Sequence, residues 1–536
     1  MATFVSIDRR RVLSVLAAAL LLVSTACESG TEPNDTGNSG SGADAEETAD
    51  VEPDTEPGDT VAGDAMATDD AAVDGGTDAD DGPISAQLIK QIPERTLKAG
   101  AEEVPCFQWT LNNDEPLYVN KVTLANEGGF HHSNWYIAPT DYAPGKDGFF
   151  DCDDRGYQGF TAAIQGTVLF AQSTQAKSEV QKLPDGVVTK IPPGYKIISD
   201  IHYLNIKPRE FTTGARLTLG LMHPKDVETV ATPFVLTYDD LHIPPKSEAR
   251  FTGECSFADT YNRIAGEDFE MKLYYVLPHY HGLGNYFRLE KYGGPNDGEK
   301  IFELAGFNAE ANGQEFKPPI EIDGAEGFRF TCGYNNPRDE EVKWGIGGQE
   351  MCMMLGYTNG KALMAGRVGD KKNMVVGEKN GIVMNEGDCS ATALKQSDDQ
   401  SMPTKEEETG EMYVPESDQE GDLNPIPECE ERPGTAKPLR EPTLSALRTN
   451  LFEVGCAFTS CHDAGSPAAG LNLTAEDLHK ELTTHQLFTP TDYPLVDPGN
   501  PEGSWLYRVT SKCEPQSKNG PVSHMPRNSP TLLQPE

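Results

Sequence analysis

The stretch Leu277-Pro278-His279-Tyr280-His281-Gly282-Leu283-Gly284 joins two runs that are typical of β-strands, Met271 to Val276 before it and Tyr286 to Leu289 after it. Side chains two residues apart on a strand point to the same face, so His279 and His281 can bind one metal ion. An exposed or hydrogen-bonded pair of histidines at a strand end is the alternative. Further histidines in strand-like segments along the chain favour the metal site.

Around this stretch, from Gln91 to about Leu394, short alternating segments are separated by Gly, Pro and Asn-Gly turns. No long run with a 3.6-residue period interrupts them, which favours antiparallel β-sandwiches over βαβ units. About 300 residues is enough for two domains of roughly 150 residues each. The sequence therefore predicts a mainly β fold with two tandem sandwiches, residues 90–228 and 229–394.

The N-terminal residues predict export. Arg9-Arg10-Arg11 is a basic region and Val12 to Val23 is apolar, which is the pattern of a signal peptide over residues 1–26. Small residues directly before Cys27 resemble a bacterial lipoprotein signal, and the arginines resemble a twin-arginine signal. We expect an exported cell-envelope protein that is lipid-anchored at Cys27 and is periplasmic or surface-exposed. Plain secretion with ordinary signal-peptidase cleavage is the alternative.

Two acidic segments flank the predicted sandwiches. Residues 28–83 contain no Lys, Arg or aromatic residue, so they cannot bury enough apolar surface to offset the entropy of ordering. We interpret residues 27–84 as a disordered tether and residues 395–440, which are also polar and interrupted by Pro, as a second linker. The net charge of -41 argues against nucleic acid as a partner.

The cysteine content agrees with an oxidising compartment. The chain has 11 Cys, and removing Cys27 leaves 10, an even number. Disulfide bonds are therefore expected.

Further candidate ligands lie on both sides of the His-x-His stretch. His131-His132 follows Gly128-Gly129. Adjacent residues on a regular strand face opposite ways, so joint ligation by this pair needs an irregular backbone, which two glycines permit. His202 lies in an apolar run, where a lone histidine is more often a satisfied core residue unless a metal partner is present.

Met351 is the candidate thioether ligand. It lies in Glu350-Met351-Cys352-Met353-Met354, and methionine runs are usually core filling. Three histidines in one set and two histidines with a thioether in the other suit copper better than zinc, because methionine is not a usual zinc ligand.

The order His-His, His, His-x-His, Met-Cys is similar to that of the copper type II, ascorbate-dependent monooxygenases, the family of the peptidylglycine α-hydroxylating and dopamine β-monooxygenases. The resemblance covers about residues 95–392. It implies two tandem antiparallel jelly-roll sandwiches, one copper ion on His131, His132 and His202, and a second on His279, His281 and Met351. It also implies three disulfides: Cys106–Cys152, Cys255–Cys389 and Cys332–Cys352.

In that family, O2 reacts at the copper of the His-x-His and Met set, which implies catalytic roles for His279, His281 and Met351. The other copper stores one electron and passes it across the cleft between the domains, and ascorbate is the reductant. Leu277, Met353 and Leu355 stand where the peptidylglycine enzymes grip a substrate carboxylate with polar residues. These replacements predict an apolar or neutral substrate instead of a peptide C-terminus.

The C-terminal residues 441–536 predict a small helical module. Cys456-Ala457-Phe458-Thr459-Ser460-Cys461-His462 resembles a c-type haem attachment sequence, widened from the usual Cys-x-x-Cys-His. Met525-Pro526 resembles the ligand loop of small cytochromes, so we expect Cys456, Cys461, His462 and Met525 to bind haem c. A disulfide between the two cysteines, with His462 exposed, is the alternative.

The sequence thus predicts a copper-dependent monooxygenase that hydroxylates a C–H bond of a small organic substrate, using O2 and two electrons from ascorbate or a haem. The first alternative is a non-catalytic copper-binding lipoprotein of the cell envelope. The second is an adhesive or structural sandwich without metal. The sequence names neither the substrate nor the oligomeric state.

Overall fold

The computed structural model describes most residues between 84 and 525. The described ranges are 84–172, 178–205, 210–305, 313–336, 338–345, 349–396, 398–418, 423, 443–453, 456–457, 461–464, 467–487, 489, 491–518, 520–522 and 524–525. All of them belong to one compact unit, residues 70–536. The predicted signal peptide, Cys27 and all of the predicted tether before Ile84 lie outside the described residues.

The first half of the fold is a sandwich of two six-stranded sheets. One sheet has the order β1-β11-β4-β9-β12, with β8 also paired to β4, and the other has the order β6-β3-β10-β5-β7, with β2 also paired to β10. The strands are β1 (Ile84–Leu97), β2 (Glu102–Glu103), β3 (Cys106–Thr110), β4 (Leu117–Asn126), β5 (Phe130–Pro139), β6 (Gly148–Phe150), β7 (Thr167–Gln172), β8 (Ser178–Lys182), β9 (Val187–Ile191), β10 (Tyr195–Leu204), β11 (Phe211–Met222) and β12 (Thr229–Val230).

The second half repeats this architecture. Its six-stranded sheets have the orders β19-β16-β22-β13-β23-β26 and β18-β17-β20-β15-β25-β24, and β14 pairs with β21. The strands are β13 (Thr232–Tyr238), β14 (His242–Ile243), β15 (Ser247–Ser256), β16 (Lys272–His279), β17 (Gly284–Tyr292), β18 (Lys300–Ala305), β19 (Gln314–Glu321), β20 (Gly327–Asn336), β21 (Val342–Lys343), β22 (Met353–Thr358), β23 (Ala362–Val368), β24 (Asn373–Lys379), β25 (Ile382–Asp388) and β26 (Ser390–Lys395).

The fold class is the one that the sequence predicts, a mainly β chain of two tandem jelly-roll sandwiches. Alternation along the strands explains it: in β4, every second residue from Val122 to Asn126 is buried, and the residues between them are partly exposed. The sandwiches meet between Val230 and Thr232, close to the predicted boundary. Most strand pairs are antiparallel, as the sequence predicts, whereas β9–β12, β13–β23 and β15–β25 are parallel.

Each sandwich has its own apolar core, and a third apolar cluster joins them. Val168 and Val187 of the first sandwich pack with Leu277, Leu355 and Tyr357 of the second in this cluster. The Tyr357 hydroxyl donates a hydrogen bond to the Val168 carbonyl at 3.0 Å. The two sandwiches are therefore packed directly on each other at this contact.

The three disulfides implied by the family resemblance are present. They are Cys106–Cys152, Cys255–Cys389 and Cys332–Cys352. Their cysteines are 46, 134 and 20 residues apart. In the chain-entropy model, bridges over such spans stabilise a fold by about 3–5 kcal/mol each.

The prediction that residues 395–440 form a linker needs correction, because residues 398–418 lie on the first sandwich. The backbone N–H of Ile89 donates to the Ser417 hydroxyl at 2.8 Å, and that of Gln91 donates to the Asp418 carboxylate at 3.0 Å. Met412 and Tyr413 pack against the core of the sandwich. Strand β1 is an edge strand with unpaired backbone groups, and this segment supplies partners for them.

The C-terminal residues form a small module with short helices and an apolar core of its own, built around Phe452, Leu473 and Leu482. Among the described residues, no helix has the length and apolar character that crossing a membrane requires. The α-helices of the described residues are α1 (Gly159–Gln165), α2 (Ala258–Ala265), α3 (Lys405–Thr409), α4 (Leu444–Leu447), α5 (Leu478–Thr484) and α6 (Trp505–Ser511), and the module also holds the strand pair β27 (Gln516–Ser517) and β28 (Gly520–Pro521).

Candidate metal centres

The first candidate centre lies where strands β5 and β10 pair. His132 is opposite His202 in the register, and the next pair is Phe130 with Tyr203, so His131 is the extra residue of a β-bulge. Gly128 and Gly129, just before it, have φ values of 98° and 76°, which glycine adopts without strain. The irregular backbone that the sequence requires is thus present.

The bulge brings His131, His132 and His202 together. The ring centroids are 5.1 Å apart for His131 and His132, 4.9 Å for His131 and His202, and 4.7 Å for His132 and His202. One ring nitrogen of each lies within 4.8 Å of those of the other two. The exposed fractions of His131 and His202 are 8% and 5%. Three imidazoles at this spacing can bind one ion.

Glu102, which the sequence analysis did not identify, fixes the orientation of His202. Its carboxylate lies 2.7 Å from His202 Nε2. A carboxylate accepts the hydrogen bond, so the proton is on Nε2 and the lone pair of Nδ1 is left for the metal. The second ring nitrogen of a metal-binding histidine usually makes such a contact.

The second candidate centre lies at the end of β16. His279 is the last residue of this strand and pairs with Met353 of β22, two residues after Met351. His281 follows in the turn to β17, and its ring centroid is 5.3 Å from that of His279. His281 Nδ1 lies 2.8 Å from the Gln349 carbonyl. A carbonyl only accepts, so Nδ1 is protonated and Nε2 is left for a metal.

Glu350, also missed by the sequence analysis, joins the two segments of the second centre. Its side chain accepts hydrogen bonds from the backbone N–H groups of His281 at 2.8 Å and Leu283 at 2.7 Å. Glu350 is 1% exposed, and burial raises its pKa to about 7 although these donors and Arg338 oppose the shift. The carboxylate ties the Met351 segment to the histidine turn.

The position of Met351 is fixed from both sides. The Tyr334 hydroxyl donates to the Met351 carbonyl at 2.7 Å, and the next residue, Cys352, is disulfide-bonded to Cys332. The backbone of Met351 therefore lies beside the His281 turn, as a third ligand requires.

The two centres lie close to each other. The ring centroids of His132 and His279 are 6.4 Å apart, although these residues belong to different sandwiches. The apolar cluster that includes Leu277, Leu355 and Tyr357 packs the sandwiches together beside the centres.

Burial keeps His132, His279 and His281 neutral. It lowers the pKa of His279 to about 3 and the pKa of His132 well below its ordinary value, and the neighbouring histidines lower both further. Burial also lowers the pKa of His281. Neutral imidazoles are the form that binds metal. The imidazole nitrogens of both centres therefore fit copper, and Met351, whose backbone lies beside the second centre, would add a thioether.

Leu277 and Leu355, two of the residues that stand where the resembled enzymes bind a substrate carboxylate, belong to the contact between the sandwiches. Leu277 and Leu355 are 4% and 9% exposed and pack in that apolar cluster. Asp200, two residues before His202, accepts hydrogen bonds from the Tyr157 hydroxyl at 2.5 Å and the Asn134 amide at 2.9 Å, and burial raises its pKa. Neither Tyr157 nor Asn134 is cationic, so these two partners of Asp200 offer no positive charge that would bind a substrate carboxylate.

In the C-terminal module, Cys456 and Cys461 are free thiols. The structure therefore does not contain the alternative, a disulfide between these two cysteines. His462 Nδ1 lies 3.2 Å from the Leu471 carbonyl, and the Met525 N–H donates to Val509.

Residues 458–460 of the predicted haem motif lie outside the described residues. Cys456 packs into the core of the module together with Leu471 and Leu473, which flank His462 in space. Haem attachment remains a prediction from the motif alone, and no step below uses it.

Comparison with known proteins shows only distant likenesses. No family model matches the chain, and no curated protein matches it. Among solved structures, the major capsid protein P2 of bacteriophage PM2 is 6% identical with a TM-score of 0.22, covering 51% of this chain and 97% of that one. The PBSX exported protein XepA is 7% identical with a TM-score of 0.15, covering 50% and 86%. Likenesses this weak carry no argument about function.

Proposed function

We propose that this protein is a copper-dependent monooxygenase of the cell envelope that hydroxylates a C–H bond of an apolar or neutral small molecule. The observation that carries the proposal is the convergence of five histidines from two sandwiches beside the backbone of Met351. Bound copper would supply one-electron cycling between Cu(I) and Cu(II) and the reaction with O2.

Each centre has its own set of ligands. His131, His132 and His202 would hold one ion, and His279, His281 and Met351 would hold the other. Glu102 accepts a hydrogen bond from His202 Nε2, and the Gln349 carbonyl accepts one from His281 Nδ1. The other nitrogen of each ring therefore carries no proton and would bind the ion. Glu350 holds the His281 turn and the Met351 segment in register.

Beside the centres, Leu277, Leu355 and Tyr357 form an apolar contact between the sandwiches. Such a contact protects a reactive site from solvent and favours a substrate without charge. The two electrons per turnover would come from a small reductant of the ascorbate type. Export, a lipid anchor at Cys27 and an acidic tether agree with the disulfides of the folded part.

The test has two stages. Purified protein is loaded with copper under anaerobic conditions, and we expect two ions per chain in elemental analysis. Oxygen uptake is then measured with ascorbate and an extract of small apolar metabolites, and products are identified by mass spectrometry. We expect the variant His279→Ala/His281→Ala to bind one ion and to lose the uptake. The matched control is His479→Ala, an exposed helix residue far along the chain from the ligands.

The second candidate function is copper binding without turnover. The 6.4 Å approach of His132 and His279 favours it, because little space separates the two centres. A chain that holds two copper ions, and takes up no more oxygen than free copper with ascorbate does, would support this function and exclude the oxygenase.

A further inference from the structure

The C-terminal module has an apolar core that it does not share with the sandwiches. Each side chain of that core, which is built around Phe452, Leu473 and Leu482, lies between residues 444 and 506. None of the other apolar clusters among the described residues includes a side chain of the module. The two sandwiches, in contrast, are joined by such a cluster. Domains that meet without a large apolar interface move relative to each other by default, so the module is the movable part of the fold.

The module contacts the sandwiches beside the second candidate centre. Residues 467–471, which we call the alanine turn, lie against the backbone of Gly282. The Ala469 N–H donates to the Gly282 carbonyl at 3.4 Å, and a Cβ placed on Gly282 would lie 3.3 Å from the Ala468 Cα. Gly282 directly follows His281 in the chain. The alanine turn therefore lies on the segment that carries a candidate metal ligand.

The contact is close because its residues are small. Gly282 has no side chain, and Ala468 and Ala469 have one methyl group each. The N–O distance of 3.4 Å is longer than the usual range of about 2.7–3.2 Å, so this hydrogen bond adds little stability. Separation would expose few apolar atoms to water, and the free energy of burial scales with apolar area. The alanine turn can therefore leave Gly282 at a low cost in free energy.

The alanine turn is fixed within the module. The Gly470 N–H donates to the Pro467 carbonyl at 2.7 Å, and the Leu471 N–H donates to the Ala468 carbonyl at 3.1 Å. Leu471 packs in the apolar core of the module and is 6% exposed. The turn and the module therefore move together as one body.

The other side of the contact is fixed to the second sandwich. The Gly284 N–H donates to the His281 carbonyl at 3.0 Å, which closes the turn that contains Gly282. Glu350 accepts hydrogen bonds from the backbone N–H groups of His281 and Leu283. The candidate ligand therefore stays in place when the module moves.

We propose that the alanine turn is a lid on the second candidate centre. When it is docked on Gly282, it covers one side of the His281 turn and slows the entry of metal ions and substrate. When the module moves away, that side opens to solvent. The lid rests on the proposed function in taking His279 and His281 as metal ligands, and it goes beyond that function by naming the part of the chain that controls entry.

The first experiment locks the contact in the full chain. A Cβ on Gly282 would lie 3.5 Å from the Ala468 Cβ, within the range of about 3.5–4.5 Å that a disulfide requires. We expect the variant Gly282→Cys/Ala468→Cys to form this disulfide on oxidation, as detected by peptide mass spectrometry. Failure of the bond to form would show that the alanine turn does not lie on Gly282 in solution, and would overturn the lid.

Opening is then measured without metal. Amide hydrogen exchange of the peptide that contains Ala469 should be slower in the locked protein than in the wild type, because the disulfide prevents the alanine turn from leaving Gly282. Exchange at the same rate in both proteins would show that the contact does not open, and would overturn the lid.

Entry is measured with Cu(II) alone, in chains that also carry His131→Ala/His132→Ala so that copper binds at the second centre. We expect the locked chain to take up Cu(II) more slowly than the unlocked parent by about tenfold or more, because the disulfide removes an open state that is typically populated at about 0.1–10%. The variant Ala468→Trp, which holds the turn away from Gly282, should take up Cu(II) faster than the parent. The matched control is Leu447→Trp on α4 of the same module, at a position that is 44% exposed, and it should not change the rate.

Equal rates of Cu(II) uptake in the locked chain and its parent would overturn the lid. A lid that controls copper entry in a protein without ascorbate-driven oxygen uptake would count against the proposed function alone. Oxygen uptake in a protein whose copper entry is unaffected by the lock would count against the lid alone.

Discussion

The imidazole rings of His132 and His279 lie 6.4 Å apart between their centroids, although one residue belongs to β5 and the other ends β16 of the second sandwich. Two metal ions held by these residues would be near neighbours. The sandwiches are kept together beside them by buried apolar side chains, among them Leu277 and Tyr357. The proximity of the centres is thus a property of the contact between the domains.

Two Cu(II) ions held by sets of ligands whose rings are this close should interact magnetically. We expect the EPR spectrum of the doubly loaded protein to be broader than the sum of two singly loaded spectra, measured on His131→Ala/His132→Ala and on His279→Ala/His281→Ala. A doubly loaded spectrum equal to that sum would show that the centres are far apart in solution.

Replacement of Glu102 should weaken the first centre alone. In Glu102→Gln the carboxylate that faces His202 Nε2 is lost, and loss of such a partner typically costs about 10–100-fold in metal affinity. Competition with a copper chelator measures this for each site. The matched control is Glu103→Gln, because the adjacent Glu103 pairs with Arg95 instead. Equal copper affinities of the first centre in the two variants would show that Glu102 does not support the centre.

Replacement of Glu350 should destabilise the fold near the second centre. Glu350→Ala leaves the buried N–H groups of His281 and Leu283 without their acceptor, and each such loss costs about 1–3 kcal/mol. Denaturant unfolding of the copper-free protein measures the change. We expect copper binding at the second centre to weaken in parallel. An unfolding free energy within error of that of the wild type would contradict the role of Glu350.

Lys196 should make stability depend on pH in the alkaline range. It is fully buried, with its ammonium donating to Gln108 and the Ala143 carbonyl, and burial lowers its pKa to about 8. The unfolded chain therefore binds more protons than the native state between about pH 8 and the ordinary pKa of lysine, so this residue makes stability rise with pH there. In Lys196→Met that rise should disappear. Parallel pH profiles for the two proteins would contradict the assignment.

The sequence predicts the parts of the site that have a spacing signature. His279 and His281, two residues apart on a strand, and His131 and His132 after two glycines can be recognised from geometry alone. The alternation of the strands likewise predicts the two sandwiches. The three disulfides came from the family resemblance, because spacing alone leaves the pairing of cysteines open.

Other parts of the site have no such signature. Glu102 is 100 residues from His202, and its role depends on the pairing of β2 with β10. Glu350 stands next to Met351, but a lone glutamate gives no sign that it will be buried. The 6.4 Å approach of His132 and His279 depends on the contact between two domains, which no local pattern encodes. The sequence also does not predict that residues 398–418 lie on β1, because their composition is that of a linker.

The central claim is that one copper ion is held by His279, His281 and the sulfur of Met351, apart from a second ion held by three histidines. X-ray absorption at the copper edge of the ascorbate-reduced protein tests it most directly. We predict a sulfur contribution in the wild type that disappears in Met351→Ile, while the nitrogen contribution of the other centre remains. A wild-type spectrum without sulfur, or one that Met351→Ile leaves unchanged, would contradict the claim.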